Sequence, residues 1–216
     1  MDSLERNHLC VLDNFLENSV FESFVAFFRF QHLFLEPNKN YWNRLNDSFH
    51  KNVYVNHNLR QASSPASCCS ILENKVTDPS FLTNILRDEF FITNYEIDSS
   101  DITRVDVKAW MLSNGSAIKK HVDYPFEHKE NEIVLKMMYY AHSDWDTNHW
   151  YGELEFWRDN IITHQYDPRP NRLIVFPSNH KSFHSISPIE NTANNVFQNV
   201  VVFYVKVALR NDGGIC

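Results

Sequence analysis

The chain has 216 residues, 43% of them hydrophobic and 22% charged, with a net charge of −7. That length and composition suit one globular domain with a sizeable core and exclude an intrinsically disordered chain, the more so with seventeen phenylalanines. The acidic balance, with no basic stripe, excludes duplex nucleic acid as the expected partner.

No membrane partner is expected: the most apolar stretch, residues 20–35, is broken by Glu22, Arg29, Gln31 and His32. Residues 1–6 carry charges of both signs and no long apolar run follows, so no signal peptide is expected. Cys10, Cys68, Cys69 and Cys216 form no CxxC pair, which indicates neither a disulfide framework nor a zinc knuckle. A reducing, cytoplasmic setting follows.

In chain order, residues 9–35 read as a strand followed by a helix. Asp13 or Asn18-Ser19 is available as a cap, Phe21, Phe24, Val25 and Phe28 recur at helical spacing, and Pro37 and Asn38 end the pattern. Such a helix is expected to support a sheet. Residues 40–67 are polar and Asn-rich and read as irregular or loop structure. Residues 78–91 predict a second helix, with Asp78 as N-cap, Pro79 at the first position and Phe81, Leu82, Ile85 and Leu86 on one face.

From Ile102 onward the texture changes. Runs rich in Val, Ile, Phe, Tyr and Trp at 103–112, 133–140, 153–157, 173–176 and 200–208 alternate with turn residues, the pattern of an antiparallel β sandwich or barrel. The reading is one domain over 1–216, with a helical support region over 1–100 and a β core over 101–210. Of four glycines, Gly213 and Gly214 lie near the C-terminus, leaving Gly115 and Gly152 for the rest. Each is expected where the backbone needs a positive φ or a close approach.

The first chemical signal is His121-Val122-Asp123. On an extended strand residues i and i+2 share a face, so imidazole and carboxylate can reach one ion together. A second histidine would complete the two-His, one-carboxylate facial triad of non-heme iron(II) oxygenases. The second signal is a run from Asn171 to Ser178 (Asn-Arg-Leu-Ile-Val-Phe-Pro-Ser) that turns at Pro177 and is followed by His184, Ile186, Pro188 and Ile189. His184 is available as the third ligand.

In this order the motifs resemble the core of the prolyl 4-hydroxylase-like branch of the iron(II)/2-oxoglutarate dioxygenases. Gly115 precedes His121-x-Asp123. Met138-Tyr139-Tyr140 leads to Asp144-Trp145, and Gly152-Glu153-Leu154-Glu155-Phe156 resembles the family's Gly-Gly-Glu-Leu-x-Phe strand. Asn171–Ser178 resembles Asn-Arg-Leu-x-x-Phe-Pro-Ser, and His184-x-Ile-x-Pro-Ile resembles the distal His-x-Val-x-Pro-Val. The resemblance spans about residues 105–204. It implies a mainly β fold, a double-stranded β-helix (jelly-roll) core with N-terminal support helices. It also implies His121, Asp123 and His184 as catalytic iron ligands, with His180 the rival for the distal place.

The implied activity is hydroxylation of an unactivated C–H bond with Fe(II), 2-oxoglutarate and O2, ascorbate being an optional reductant. Halogenating relatives replace the carboxylate by a small residue, so Asp123 implies a non-halogenating oxidation. The substrate would be a peptide residue, an amino acid or another small molecule, and the oligomeric state is left open.

One departure stands out. The family places a base about ten residues past the distal histidine to hold the C5 carboxylate of 2-oxoglutarate. Here residues 191–198 contain none. A buried carboxylate without a cation is costly. Lys136, fifteen residues past His121 on an otherwise apolar run, stands where the asparaginyl hydroxylase and JmjC branches draw their lysine. Lys206 and Arg172 are further candidates, Gln198 could assist by hydrogen bonding, and Tyr140, Tyr139 or Tyr124 could donate to the cosubstrate. Residues 143–151, with two tryptophans and a histidine, are expected near the substrate entrance. The competing readings are a binding or regulatory protein on a degenerate oxygenase fold, and a zinc hydrolase, which lacks a further HxH or HExxH motif.

Overall fold

The computed structural model describes residues 9–31, 51–56, 102–112, 114–123, 132–190 and 196–208. Its strands form where β-branched and aromatic residues run between turn residues. In chain order they are β1 (Cys10–Leu12), helix α1 (Asn18–Gln31), β2 (Lys51–Asn56), β3 (Ile102–Leu112), β4 (Ile118–His121), β5 (Glu132–Tyr140), β6 (Leu154–Arg158), β7 (Ile161–Tyr166), β8 (Leu173–Pro177), β9 (His184–Ile186) and β10 (Gln198–Ala208).

These make a six-stranded sheet, β1-β8-β5-β10-β3-β2, and a four-stranded sheet, β4-β9-β6-β7, with every pairing antiparallel. The mainly β jelly-roll expected from the sequence is the fold observed. A shared core closes the two sheets on one another. Val134, Met138, Tyr140, Ile174, Phe176, Val200, Val202 and Tyr204 come from the large sheet and Ile118, Leu154 and Ile186 from the small one. Each fully buried apolar side chain contributes roughly 1.5–3 kcal/mol.

Period-two alternation decides which side chains enter that interior. On β5, Val134, Lys136, Met138 and Tyr140 share the inner face. Tyr139 faces away, packing edge-on against Phe15 and Phe24, the latter from α1, and donating to Asn171 Oδ1 at 3.0 Å. Asn171, buried with φ 57°, also bonds Leu16 N and O, tying the segment before α1 to the start of β8. Tyr139 therefore belongs to the packing beneath α1 and has left the list of cosubstrate donors.

Three strands depart from the sequence reading. Residues 51–56, expected to be irregular, pair with β3 because Val53-Tyr54-Val55 is a strand-forming run inside a polar segment. β7 was not anticipated, since five of its six residues are exposed and alternation is absent. β9 has only three residues. The second expected helix, at 78–91, and Pro37-Asn38 lie outside the described residues.

Both body glycines have positive φ, 78° at Gly115 and 82° at Gly152. Gly115 N donates to Ile189 O, and Ile189 N donates to Ser116 O, so one turn clamps the chain beyond β9. Gly152 meets the other requirement: a Cβ there would lie 2.6 Å from Gln198 Nε2 and 2.9 Å from Ile189 Cγ1.

Candidate metal centre

β4 and β9 are neighbours, and their register sets His121 directly opposite His184. From Ile118↔Ile186 to His121↔His184 the register advances three residues on β4 against two on β9, so β4 carries a bulge just before its histidine. The two imidazoles lie 4.3 Å apart, centroid to centroid. Asp123 follows two residues later, and Ser178 Oγ, at the end of β8, holds its backbone by donating to its carbonyl at 2.9 Å. His121, Asp123 and His184 each present one ligand atom, all within 4.8 Å of one another, and they form the one such cluster among the described residues.

Both histidines are oriented alike. Nδ1 of His121 is 2.7 Å from Lys119 O, and Nδ1 of His184 is 2.9 Å from Ser182 O. A carbonyl can only accept, so each Nδ1 carries the proton and each Nε2 keeps a lone pair for the centre. Nε2 of His121 lies 3.4 Å from Asp123 Oδ1, and Nε2 of His184 lies 3.3 Å from Oδ2. Adjacent ligands of an octahedral ion with bonds of about 2.1 Å stand about 3 Å apart, so this donor set fits a first-row divalent metal. Phe156 and Phe176 pack against the His184 ring from β6 and β8.

Lys136 reaches the same place from β5. It is 1% exposed, and its Nζ lies 2.6 Å from Asp123 Oδ2 and 2.9 Å from His184 Nε2. Its cross-strand partners Phe176 and Tyr204 flank the ammonium, with ring centroids 5.7 and 5.8 Å away. Burial pushes the Asp123 carboxyl up, but the ammonium and the two histidine contacts outweigh it and hold Asp123 well below the usual carboxylate range. Burial, then the neighbouring ammonium, lowers His184 to about 4, leaving it neutral and able to ligate at physiological pH.

The remaining candidates separate. Tyr140 and Gln198 are fully buried on inward-facing positions of β5 and β10. Gln198 Nε2 donates to Gly152 O at 2.8 Å, while its Oε1 and the Tyr140 hydroxyl have no hydrogen-bond partner among the described residues. Lys206 lies two residues past Tyr204 and pairs with Glu132 at 2.7 Å. Arg172 is held by Asp13 through Nε and Nη2, and by the carbonyl of Asp167. His180 is exposed, and Tyr124 lies outside the described residues.

Two polar residues escaped sequence reasoning. Tyr204, whose hydroxyl donates to Asp123 Oδ2 at 3.2 Å, reads in sequence as one aromatic in an unbroken apolar run. His142, assigned no role from the sequence, bridges Pro168 O and Asn199 N from a buried position. In the loop after it Trp145 is core, donating to Tyr151 O, while His149 is exposed beside Asp146.

Two histidines and one carboxylate facing the interior of a jelly roll are the ligand arrangement of non-heme iron(II) oxygenases. Residues 107–206 match the family model of the 2OG-Fe(II) oxygenase superfamily. Among solved structures, the chain is similar to a prolyl hydroxylase from Trichoplax adhaerens in complex with a hypoxia inducible factor oxygen degradation domain peptide. The identity is 17% and the TM-score 0.66, covering 94% of this chain and 85% of that one. It is similar also to a Pseudomonas putida prolyl-4-hydroxylase, at 15% identity and TM-score 0.60, covering 97% and 96%. A third is the viral collagen prolyl hydroxylase of Paramecium Bursaria Chlorella virus-1, at 11% and 0.54, covering 95% and 99%. At such identities the shared property is the fold. No curated protein matches the chain in sequence. Over residues 107–206, a little under half of the chain, the sequence resembles the 2OG-Fe(II) oxygenase superfamily.

Proposed function

We propose that the protein is an iron(II)/2-oxoglutarate oxygenase that hydroxylates an unactivated C–H bond of a residue within a peptide. In this reading His121, Asp123 and His184 hold iron(II), and Lys136 takes the C5 carboxylate of 2-oxoglutarate. The observation that carries the proposal is the ammonium of Lys136 in the interior beside the triad. A carboxylate brought into that interior needs a cation. Of the two buried bases among the described residues, Arg172 is held by Asp13 at the start of β8, whereas the Lys136 ammonium stands at the triad itself. Support for a peptide comes from the Trichoplax enzyme, whose structure contains one.

Iron(II) with 2-oxoglutarate supplies oxygen activation, coupling decarboxylation of the cosubstrate to succinate and CO2 with transfer of an oxygen atom to the substrate. The chain's own residues supply placement. Lys119 O and Ser182 O fix the two imidazoles, and the Tyr204 hydroxyl orients Asp123. Phe156 and Phe176 keep water from the inner side of His184. A degenerate binding protein would not need this complete, doubly oriented ligand set. No helix among the described residues is long and apolar enough to cross a membrane, and ferrous iron with a buried Cys10 thiol suits a reducing cytoplasm.

The test is succinate formation by protein purified without oxygen and supplied with iron(II), 2-oxoglutarate and O2. A mass-spectrometric search for +16 Da products should find modified peptides. Modified free amino acids or metabolites would redirect the substrate assignment, and absence of both succinate and metal binding would refute the oxygenase reading. Lys136→Ala should raise the 2-oxoglutarate requirement at least tenfold, the loss expected for one charge-assisted bond to a buried carboxylate of about 1.5–3 kcal/mol.

A further inference from the structure

Lys136 stands in an unusual relation to the triad. A lysine that only held a distant carboxylate would keep its ammonium clear of the metal ligands. Here Nζ lies 2.6 Å from Asp123 Oδ2 and 2.9 Å from His184 Nε2. Because His184 Nδ1–H donates a hydrogen bond to Ser182 O, the Nε2 lone pair is the acceptor and the ammonium is the donor. That lone pair is the one a metal would use.

The ammonium and a metal ion therefore address the same lone pair on His184 and the same carboxylate on Asp123. They carry like charge, so simultaneous occupation is doubly unfavourable. The backbone of Lys136 cannot yield, since β5 is paired on both sides, with β8 and β10. The side chain can, because its four-carbon stem is flexible. The Tyr140 hydroxyl, four residues along the same face of β5, is buried and without a hydrogen-bond partner among the described residues, a polar group lying away from the triad.

We propose that Lys136 is a resident cation that competes with the metal for the triad, and that 2-oxoglutarate draws it away, so that metal and cosubstrate bind with positive coupling carried by this side chain. The proposal rests on the assignment of the triad to iron and of Lys136 to the cosubstrate. One ligand withdraws the ammonium from the triad, the other expels it, and each thereby prepares the site for its partner.

The experiment uses the full chain with Mn(II) as the binding probe, free Mn(II) being read by electron paramagnetic resonance, and Zn(II) as a diamagnetic probe. Lys136→Met should bind Mn(II) alone about tenfold more tightly than wild type, and 2-oxoglutarate should improve its Mn(II) affinity less than it improves that of wild type. Removing a nearby charge could by itself tighten Mn(II) binding, so position is read separately. In wild type, a lysine ammonium 15N signal protected from exchange, identified by its loss in Lys136→Met or Lys136→Gln, should move or disappear when Zn(II) is added.

A signal unmoved at saturating Zn(II), or Mn(II) affinity no tighter in Lys136→Met, overturns the competition while leaving the metal site in place. Failure of wild type and variant alike to bind either metal overturns the metal assignment as well. The 15N measurement on wild type stands even if Lys136→Met does not fold, since Lys136→Gln supplies the identification.

Discussion

Gly115 and Gly152 share a backbone conformation but not an environment, which makes them a controlled pair. Alanine at either must adopt a positive φ, 78° or 82°, at a cost of about 1 kcal/mol. At Gly115 nothing lies within 4 Å of the added Cβ, so that cost stands alone. At Gly152 the methyl would lie 2.6 Å from Gln198 Nε2 and 2.9 Å from Ile189 Cγ1. Both neighbours are buried, and Gln198 is tied to the Gly152 carbonyl, so neither moves freely. Overpacking of this kind adds roughly 1–3 kcal/mol, for a total of roughly 2–4 kcal/mol. Urea unfolding followed by circular dichroism should give about 1 kcal/mol for Gly115→Ala and about 3 for Gly152→Ala. The corresponding losses in Tm are roughly 2–4 °C and 6–12 °C. Equal losses, or a larger loss at Gly115, would refute the claim that contact rather than conformation dominates at Gly152.

His142 sets an acid limit. Burial, opposed by bonds to Pro168 O and Asn199 N and by the charge of Asp144, lowers it to about 4. A histidine depressed in the folded state contributes stability that is present above about pH 6.5 and is lost as pH falls towards 4. The contribution is at most about 3 kcal/mol. His184 is depressed through the same window, so the reading is a difference: the stability of His142→Gln, relative to wild type, should improve as pH is lowered from 6.5 to 4, and a flat difference would count against it. Arg172→Ala removes the two bonds to Asp13 and the one to Asp167 O, and should cost about 1–3 kcal/mol in urea unfolding without changing Mn(II) affinity. Asp123→Ala should abolish Mn(II) binding and succinate formation while leaving the fold intact by circular dichroism. Retained metal binding would displace Asp123 from the ligand set.

The triad was legible because its chemistry is local in sequence. His121 and Asp123 sit at the i, i+2 spacing that shares a strand face, and His184 follows a strand that ends in a proline turn. Lys136 was legible as an anomaly, a base within an apolar run. Its contact with the ligands themselves was not, because that depends on β5 lying beside β8 and β10 in one register. Tyr204 was hidden for the converse reason: in a central strand buried on both faces, a residue serving the site and one filling the core look alike. Tyr139 and Tyr140 are adjacent in sequence, and only strand phase sends one beneath α1 and the other into the interior. The bulge in β4, which sets His121 opposite His184, left no mark in residue type.

The position of β10 has a consequence for how the molecule is made. It is the last described strand along the chain, yet it lies between β5 and β3 in the large sheet. Until it emerges from the ribosome, β1-β8-β5 and β3-β2 are two separate ribbons, and each offers an open edge where β10 will lie. Pairings of such long sequence separation form slowly, and unpaired edges invite association with other chains. A nascent chain stopped before Gln198 would thus be the species most prone to aggregate and most dependent on a chaperone. Because β10 also carries Tyr204 to Asp123, the sheet and the support of its site are completed in the same event.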